Sequence, residues 1–69
     1  MTLAEWVEAL NPLLSELVSV RNDANAALRL KHLGLLGGPQ NRTDVRTNIS
    51  SRVSALAVAM TALSLDSDA

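Results

Sequence analysis

Cysteine, phenylalanine and tyrosine are all missing from this 69-residue sequence, and tryptophan occurs once. The lack of cysteine excludes disulfides and thiolate metal ligands. The single histidine, His32, cannot hold a metal ion without further ligands. A chain this short buries only about 60% of the surface that its unfolded form exposes. Small domains without disulfides or metals usually oligomerise. We therefore expect one domain without a cofactor, stabilised by a second copy of itself.

Long hydrophobic runs are also absent, because polar or charged residues interrupt every apolar stretch. A membrane-spanning helix needs about 20 predominantly apolar residues in succession. The first ten residues contain Glu5 and Glu8 and no basic residue, which is not the pattern of a signal peptide. The sequence thus predicts an intracellular, cytoplasmic protein with no membrane partner.

Catalytic groups are equally scarce. There is no cysteine nucleophile, and His32 has no serine or aspartate at a spacing typical of a triad. The glycine pair Gly37-Gly38 is not followed by the Lys-Ser/Thr of a phosphate-binding loop. We expect no catalytic residues, no metal site and no enzymatic activity.

The first half of the chain predicts one long helix, over about 3–36. Thr2 and Glu5 have the spacing of a capping box at its start. Pro12 interrupts an apolar pattern that keeps its phase, which favours a kink near Pro12 over two separate helices. The segment 21–25, Arg-Asn-Asp-Ala-Asn, contains residues that favour turns. We expect a weakened but continuous helix there, with a break near Asn22 as the alternative.

A turn and a second helix follow. Gly37-Gly38-Pro39 is typical of a helix end, and we expect a turn over 37–42. The second helix is predicted over about 44–65, with a frayed polar tail over 66–69. An apolar stripe runs along it at steps of three and four residues, formed by Val45, Ile49, Val53, Leu56, Met60 and Leu63.

Helix lengths indicate that a partner is needed. At 1.5 Å per residue the first helix is about 51 Å long and the second about 33 Å. The second helix would leave the arm over 3–13 uncovered. The fold class we predict is all-α: an antiparallel hairpin that dimerises into a four-helix bundle. A monomeric three-helix bundle is the alternative. The expected self-association interface consists of Leu3, Trp6, Val7, Leu10, Leu13, Leu17, Ile49, Val53, Leu56, Met60 and Leu63.

The basic residues are concentrated in the middle of the chain. All six lie between positions 21 and 52, whereas two of the seven acidic residues do. Three explanations compete: helix-dipole complementarity with solubility, antiparallel self-assembly of acidic and basic ends, and a nucleic-acid surface. In the last case the binding residues would be Arg21, Arg29, Lys31, Arg42, Arg46 and Arg52.

The order of these elements resembles a known family. A proline-kinked first helix, a Pro39-x-Asn41 turn and a long helix from Asp44-Val45 are similar to the RNA-silencing suppressors of insect nodaviruses. That resemblance implies a dimeric four-helix bundle with basic residues along double-stranded RNA.

Three functions follow as hypotheses. The first is a small non-enzymatic, self-associating interaction or regulatory module. The alternative is a dimeric double-stranded RNA-binding protein of the viral suppressor type. The third is an adaptor or inhibitor that docks on an unknown protein through Trp6.

Overall fold

The computed structural model describes residues 1–65 and shows an antiparallel helical hairpin. Helix α1 is Leu3–His32 and helix α2 is Pro39–Thr61. The two helices pack against each other along their length, and no strand occurs within the described residues. The hairpin measures 54 × 16 × 11 Å. This confirms the all-α hairpin, while the tail predicted over 66–69 lies outside the described residues.

Helix α1 begins with the predicted capping box. The Thr2 amide donates to Oε1 of Glu5 at 2.9 Å, and the Glu5 amide donates to Oγ1 of Thr2 at 3.2 Å. The hydrogen bond from the Thr2 backbone, followed by that with the Thr2 side chain, lowers the pKa of Glu5 below its ordinary value. Because this pKa is lowered, the cap contributes fully above the ordinary value and is lost as the pH falls through the lowered one.

The same helix continues without interruption through both doubtful segments. Pro12 lies inside α1, and so does the asparagine-rich segment 21–25. The apolar contacts on either side of these residues outweigh their weak helix propensity, since tertiary packing supplies most helical stability. The described chain therefore contains two helices, and the three-helix arrangement is not formed.

The turn starts and ends earlier than the sequence indicates. Helix α1 ends at His32 rather than near residue 36, and α2 begins at Pro39 rather than near residue 44. Gly34 adopts φ +71° and Gly37 φ +94°, a left-handed conformation that glycine adopts without strain. Gly34 thus ends α1 before the Gly37-Gly38 pair is reached. Pro39 is then at the first position of α2, where its fixed φ suits a helix start.

These shifts change how far α2 extends along α1. Helix α2 ends at Thr61, but it starts earlier and α1 is shorter than predicted. Met60 and Leu10 line the same groove, and the amino group of Met1 donates to the carbonyl of Ser64 at 3.3 Å. The chain after α2 therefore reaches the start of α1. The uncovered arm expected over 3–13 is not seen.

The contact between the helices is narrow. Within the described residues, Val20 and Leu56 are the buried hydrophobic side chains, at 4% and 7% exposure. Half-buried side chains at helical spacing continue the same line in both directions and define the seam, the line of contact between the helices. The apolar side chains of this kind include Trp6, Leu10, Leu13, Val45, Ile49 and Leu63.

Two neighbouring glycines, Gly37 and Gly38, test the backbone conformation of the turn. In Gly37→Ala, the new Cβ would collide with the Asn41 side chain and occupy a left-handed conformation. Gly38 has a negative φ and open space around the position of a Cβ. We expect Gly37→Ala to lower the free energy of unfolding by about 1–2 kcal/mol. Gly38→Ala should change it by less than half as much. Urea unfolding followed by circular dichroism measures both, and equal effects would contradict the turn geometry.

Candidate functional site

Much of the apolar surface of this hairpin faces solvent. Of the residues predicted for self-association, six lie in the seam: Trp6, Leu10, Leu13, Ile49, Leu56 and Leu63. The other five remain exposed, and they are Leu3 (56%), Val7 (49%), Leu17 (48%), Val53 (44%) and Met60 (49%). The structure therefore divides the predicted interface into an intramolecular seam and an exposed surface beside it.

Part of that exposed surface forms a groove between the helices. Its volume is 160 Å³, and every residue that lines it is apolar. The sequence prediction did not include Leu14 and Ala57. Leu14 lies four residues after Leu10, and Ala57 lies four residues after Val53, so helical spacing could have identified both. We call this set the apolar groove, and it consists of Leu10, Leu13, Leu14, Leu17, Val53, Leu56, Ala57 and Met60.

The groove exists because the apolar surface of α1 is wider than one seam. Leu3, Val7, Leu14 and Leu17 recur at steps of four, seven and three residues. This spacing places them on one side of the helix, next to the residues that contact α2. Since α2 can cover only one line of α1, this second line stays in solvent.

Arg52 occupies the seam and joins the two helices. Its Nε donates to Oε1 of Glu16 at 2.9 Å, and its Nη1 donates to Oδ2 of Asp23 at 2.6 Å. Its Nη2 also donates to Oγ of Ser19 at 3.1 Å. These bonds, first with Asp23 and then with Glu16, raise the pKa of Arg52. The sequence predicted Arg52 as a nucleic-acid contact. In the structure, Arg52 instead donates hydrogen bonds to acidic side chains of its own chain.

The other basic side chains have no such partners among residues 1–65. No described residue forms an ion pair with Arg21, Arg29, Lys31, Arg42 or Arg46. Three of these, Lys31, Arg42 and Arg46, border a hollow of 200 Å³ beside Leu28 and Ile49. We call this the cation hollow. It brings together residues from both helices near the turn.

Acidic residues lie on the opposite side of the same seam. Asp23 and Asp44 border a second hollow, which shares Ala27, Val45 and Ile49 with the cation hollow. The two hollows share seam residues, but different charged residues lie at their edges. They therefore open on opposite faces of the hairpin. The hairpin near the turn is therefore basic on one face and acidic on the other, a separation that sequence order did not predict.

Comparison with known proteins gives no assignment. No protein-family model matches the sequence. No curated protein and no solved structure matches it either. The resemblance to the nodaviral suppressors thus rests on helix order and turn residues.

Residues 1–65 contain neither a membrane-spanning helix nor a cluster of metal ligands. Neither described helix has the length and apolar character required to cross a membrane. No group of three or more histidine, cysteine, aspartate or glutamate side chains in this part of the chain could hold a metal ion.

Arg52 provides a test of how the helices are joined. Arg52→Met keeps an apolar stem but removes three hydrogen bonds across the hairpin and leaves Glu16 without its partner. We expect the melting temperature to fall by several degrees. Arg46→Met, on the same helix, removes a cation that has no ion-pair partner among the described residues and should leave the temperature nearly unchanged. Thermal unfolding followed by circular dichroism measures both, and an equal response of the two variants would contradict the assigned role.

Proposed function

We propose that this chain is a small non-enzymatic interaction module that acts by self-association. The observation that supports the proposal is the apolar groove and the line of exposed leucine and valine side chains that continues it. Large contiguous apolar patches are rare on monomers and usually mark an interface. Burying one Leu, Val or Met side chain contributes about 1.5–3 kcal/mol relative to leaving it in water.

The thin core gives a second reason. Val20 and Leu56 are the buried hydrophobic residues of the described chain, and no other described residue covers the groove beside Leu56. A domain of this size is marginally stable even with a filled core. A partner on the groove would add a second contact line to both helices and supply the missing layer.

A second copy fits this groove by symmetry. In a two-fold dimer the same patch is used on both chains, so the patch must complement itself. An apolar groove with no charged residue in its lining meets that condition. We propose that two hairpins pack through their grooves into a four-helix bundle.

Two valines on α2 test this interface. Val53 lines the groove, whereas Val58 is 70% exposed and lines none of the hollows described above. Val53→Glu would bury an unpaired carboxylate in the contact, which costs several kcal/mol. We expect the dimer dissociation constant to rise by roughly 100-fold or more, since each 1.4 kcal/mol is a factor of ten.

The matched variant Val58→Glu should leave dimerisation unchanged, because its side chain stays in water. Sedimentation equilibrium measures both dissociation constants, with circular dichroism as a check on folding. Dissociation by both variants, or by neither, would contradict the assignment of the groove as the interface.

A second candidate function is the binding of double-stranded RNA. The observation that favours it is the cation hollow, where Lys31, Arg42 and Arg46 lie together without an ion-pair partner within residues 1–65. Contacts to phosphates need clustered cations. Recognition of a duplex by its shape does not need aromatic side chains.

Charge reversal around the cation hollow tests this candidate. We expect a generic RNA duplex to shift in a gel at low salt and to be released as salt rises. Arg42→Glu with Arg46→Glu should weaken binding and reduce the salt slope by about 1 for each lost phosphate contact. Arg29→Glu is the comparison, because Arg29 lines a separate hollow on the outer side of α1. Absence of any salt-sensitive shift at low salt would end this candidate.

A further inference from the structure

We infer that the second copy packs antiparallel on the apolar groove, centred on Leu14 and Ala57, so that both cation hollows stay outside the contact. This inference rests on the proposed self-association and specifies its orientation and register. It follows from how apolar and basic side chains are divided along one face of the hairpin.

The apolar groove and the cation hollow occupy different halves of that face. The groove lies toward the chain termini, between Leu10 and Leu17 on α1 and between Val53 and Met60 on α2. The cation hollow lies toward the turn. Arg21 follows Leu17 by about one helical turn, so it marks the end of the apolar stretch on α1. Among residues 1–65, no acidic residue lines the groove or the cation hollow.

A parallel arrangement conflicts with this division. Hairpins packed with their turns at the same end would place the cation hollow of one copy against that of the other. Lys31, Arg42 and Arg46 of both chains would then approach one another with no acidic residue lining either hollow. Like charges facing each other across an interface are unfavourable.

Complete antiparallel overlap is also unfavourable. It would press the cations of each copy against the leucine and valine line of the other, for example Arg46 toward Leu3 and Val7. Charged groups removed from water without a partner are strongly destabilising. Only an overlap restricted to the apolar halves buries the groove and leaves Lys31, Arg42 and Arg46 hydrated.

The opposite face cannot replace the groove as the partner's contact. It contains the hydrogen-bonded set of Arg52, Glu16 and Asp23 together with the hollow bordered by Asp44. An apolar groove packed on this polar face would leave charges buried without water. Groove-to-groove packing follows.

The helix ends define the register. The centre of the groove lies close to Leu14 on α1 and Ala57 on α2. Helix α2 ends at Thr61, about four residues past this centre. In the antiparallel dimer it therefore contacts the same helix of the other copy only as far back as about Arg52. Arg42 and Arg46 are then beyond the contact. Ala57 of the two chains lies near the two-fold axis, where a small side chain lets the helices approach closely.

Cysteine cross-linking tests this register, because the chain has no cysteine of its own. Ala57→Cys is expected to form a covalent dimer with a short bis-maleimide at low protein concentration. Ala55→Cys is the matched control, an exposed alanine on the same helix outside the groove, and it should not be cross-linked covalently. Sedimentation equilibrium and circular dichroism of both reduced variants establish that they are dimeric and folded.

The possible results distinguish a wrong orientation of the two hairpins from a failure of the chain to self-associate. Efficient cross-linking of Ala57→Cys with a two-chain mass supports the antiparallel register. A two-chain mass without that cross-link, but with one between Leu14→Cys and Ala57→Cys chains mixed together, would overturn the orientation and show parallel hairpins. A cross-link from Ala55→Cys would show that the other face is used. A single-chain mass for every variant would overturn the self-association on which the inference rests.

Discussion

Two helices that pack side by side share one line of contact, and this geometry limits how much apolar surface a hairpin can bury. Helix α1 has more than one such line. Its seam residues, among them Leu13 and Val20, meet α2, while Leu14 and Leu17 lie beside them in solvent. The hydrophobic effect favours covering that second line, and the described chain has no further element to cover it. Self-association is the simplest response.

Charge is arranged around the same seam. Arg52 takes a position that the helical repeat would give to an apolar residue, and its bonds to Glu16, Ser19 and Asp23 fix how α1 and α2 align. A polar group in a helical contact commonly selects one register at some cost in stability. Because these acids gather around Arg52, the opposite face keeps cations that have no acidic partner within the described part of the chain. One face is thus apolar at one end and basic at the other.

Sequence alone predicted the capping box, the hairpin, the continuity of α1 at Asn22 and the seam residues Val45, Ile49, Leu56 and Leu63, since each follows from local spacing and propensity. It placed Val53 and Met60 in the same stripe, but both are exposed beside the seam. It misplaced both ends of the turn, because Gly34 and Gly37 can each adopt the left-handed conformation that ends a helix, and the sequence pattern favoured the Gly37-Gly38 pair over Gly34. It also included Arg52 among the free cations, because its partners lie 29 and 36 residues away in sequence. Six of the eight groove residues were predicted as interface residues, and the two that were missed, Leu14 and Ala57, lie at helical spacing from Leu10 and Val53.

If a second copy completes the hairpin, the mass and the melting temperature of the unmodified chain depend on its concentration. Sedimentation equilibrium should give twice the 7.3 kDa chain mass at micromolar concentration. The melting temperature should rise with protein concentration over the same range, because association stabilises the folded form by mass action. A 7.3 kDa particle whose melting temperature is independent of concentration would contradict the account.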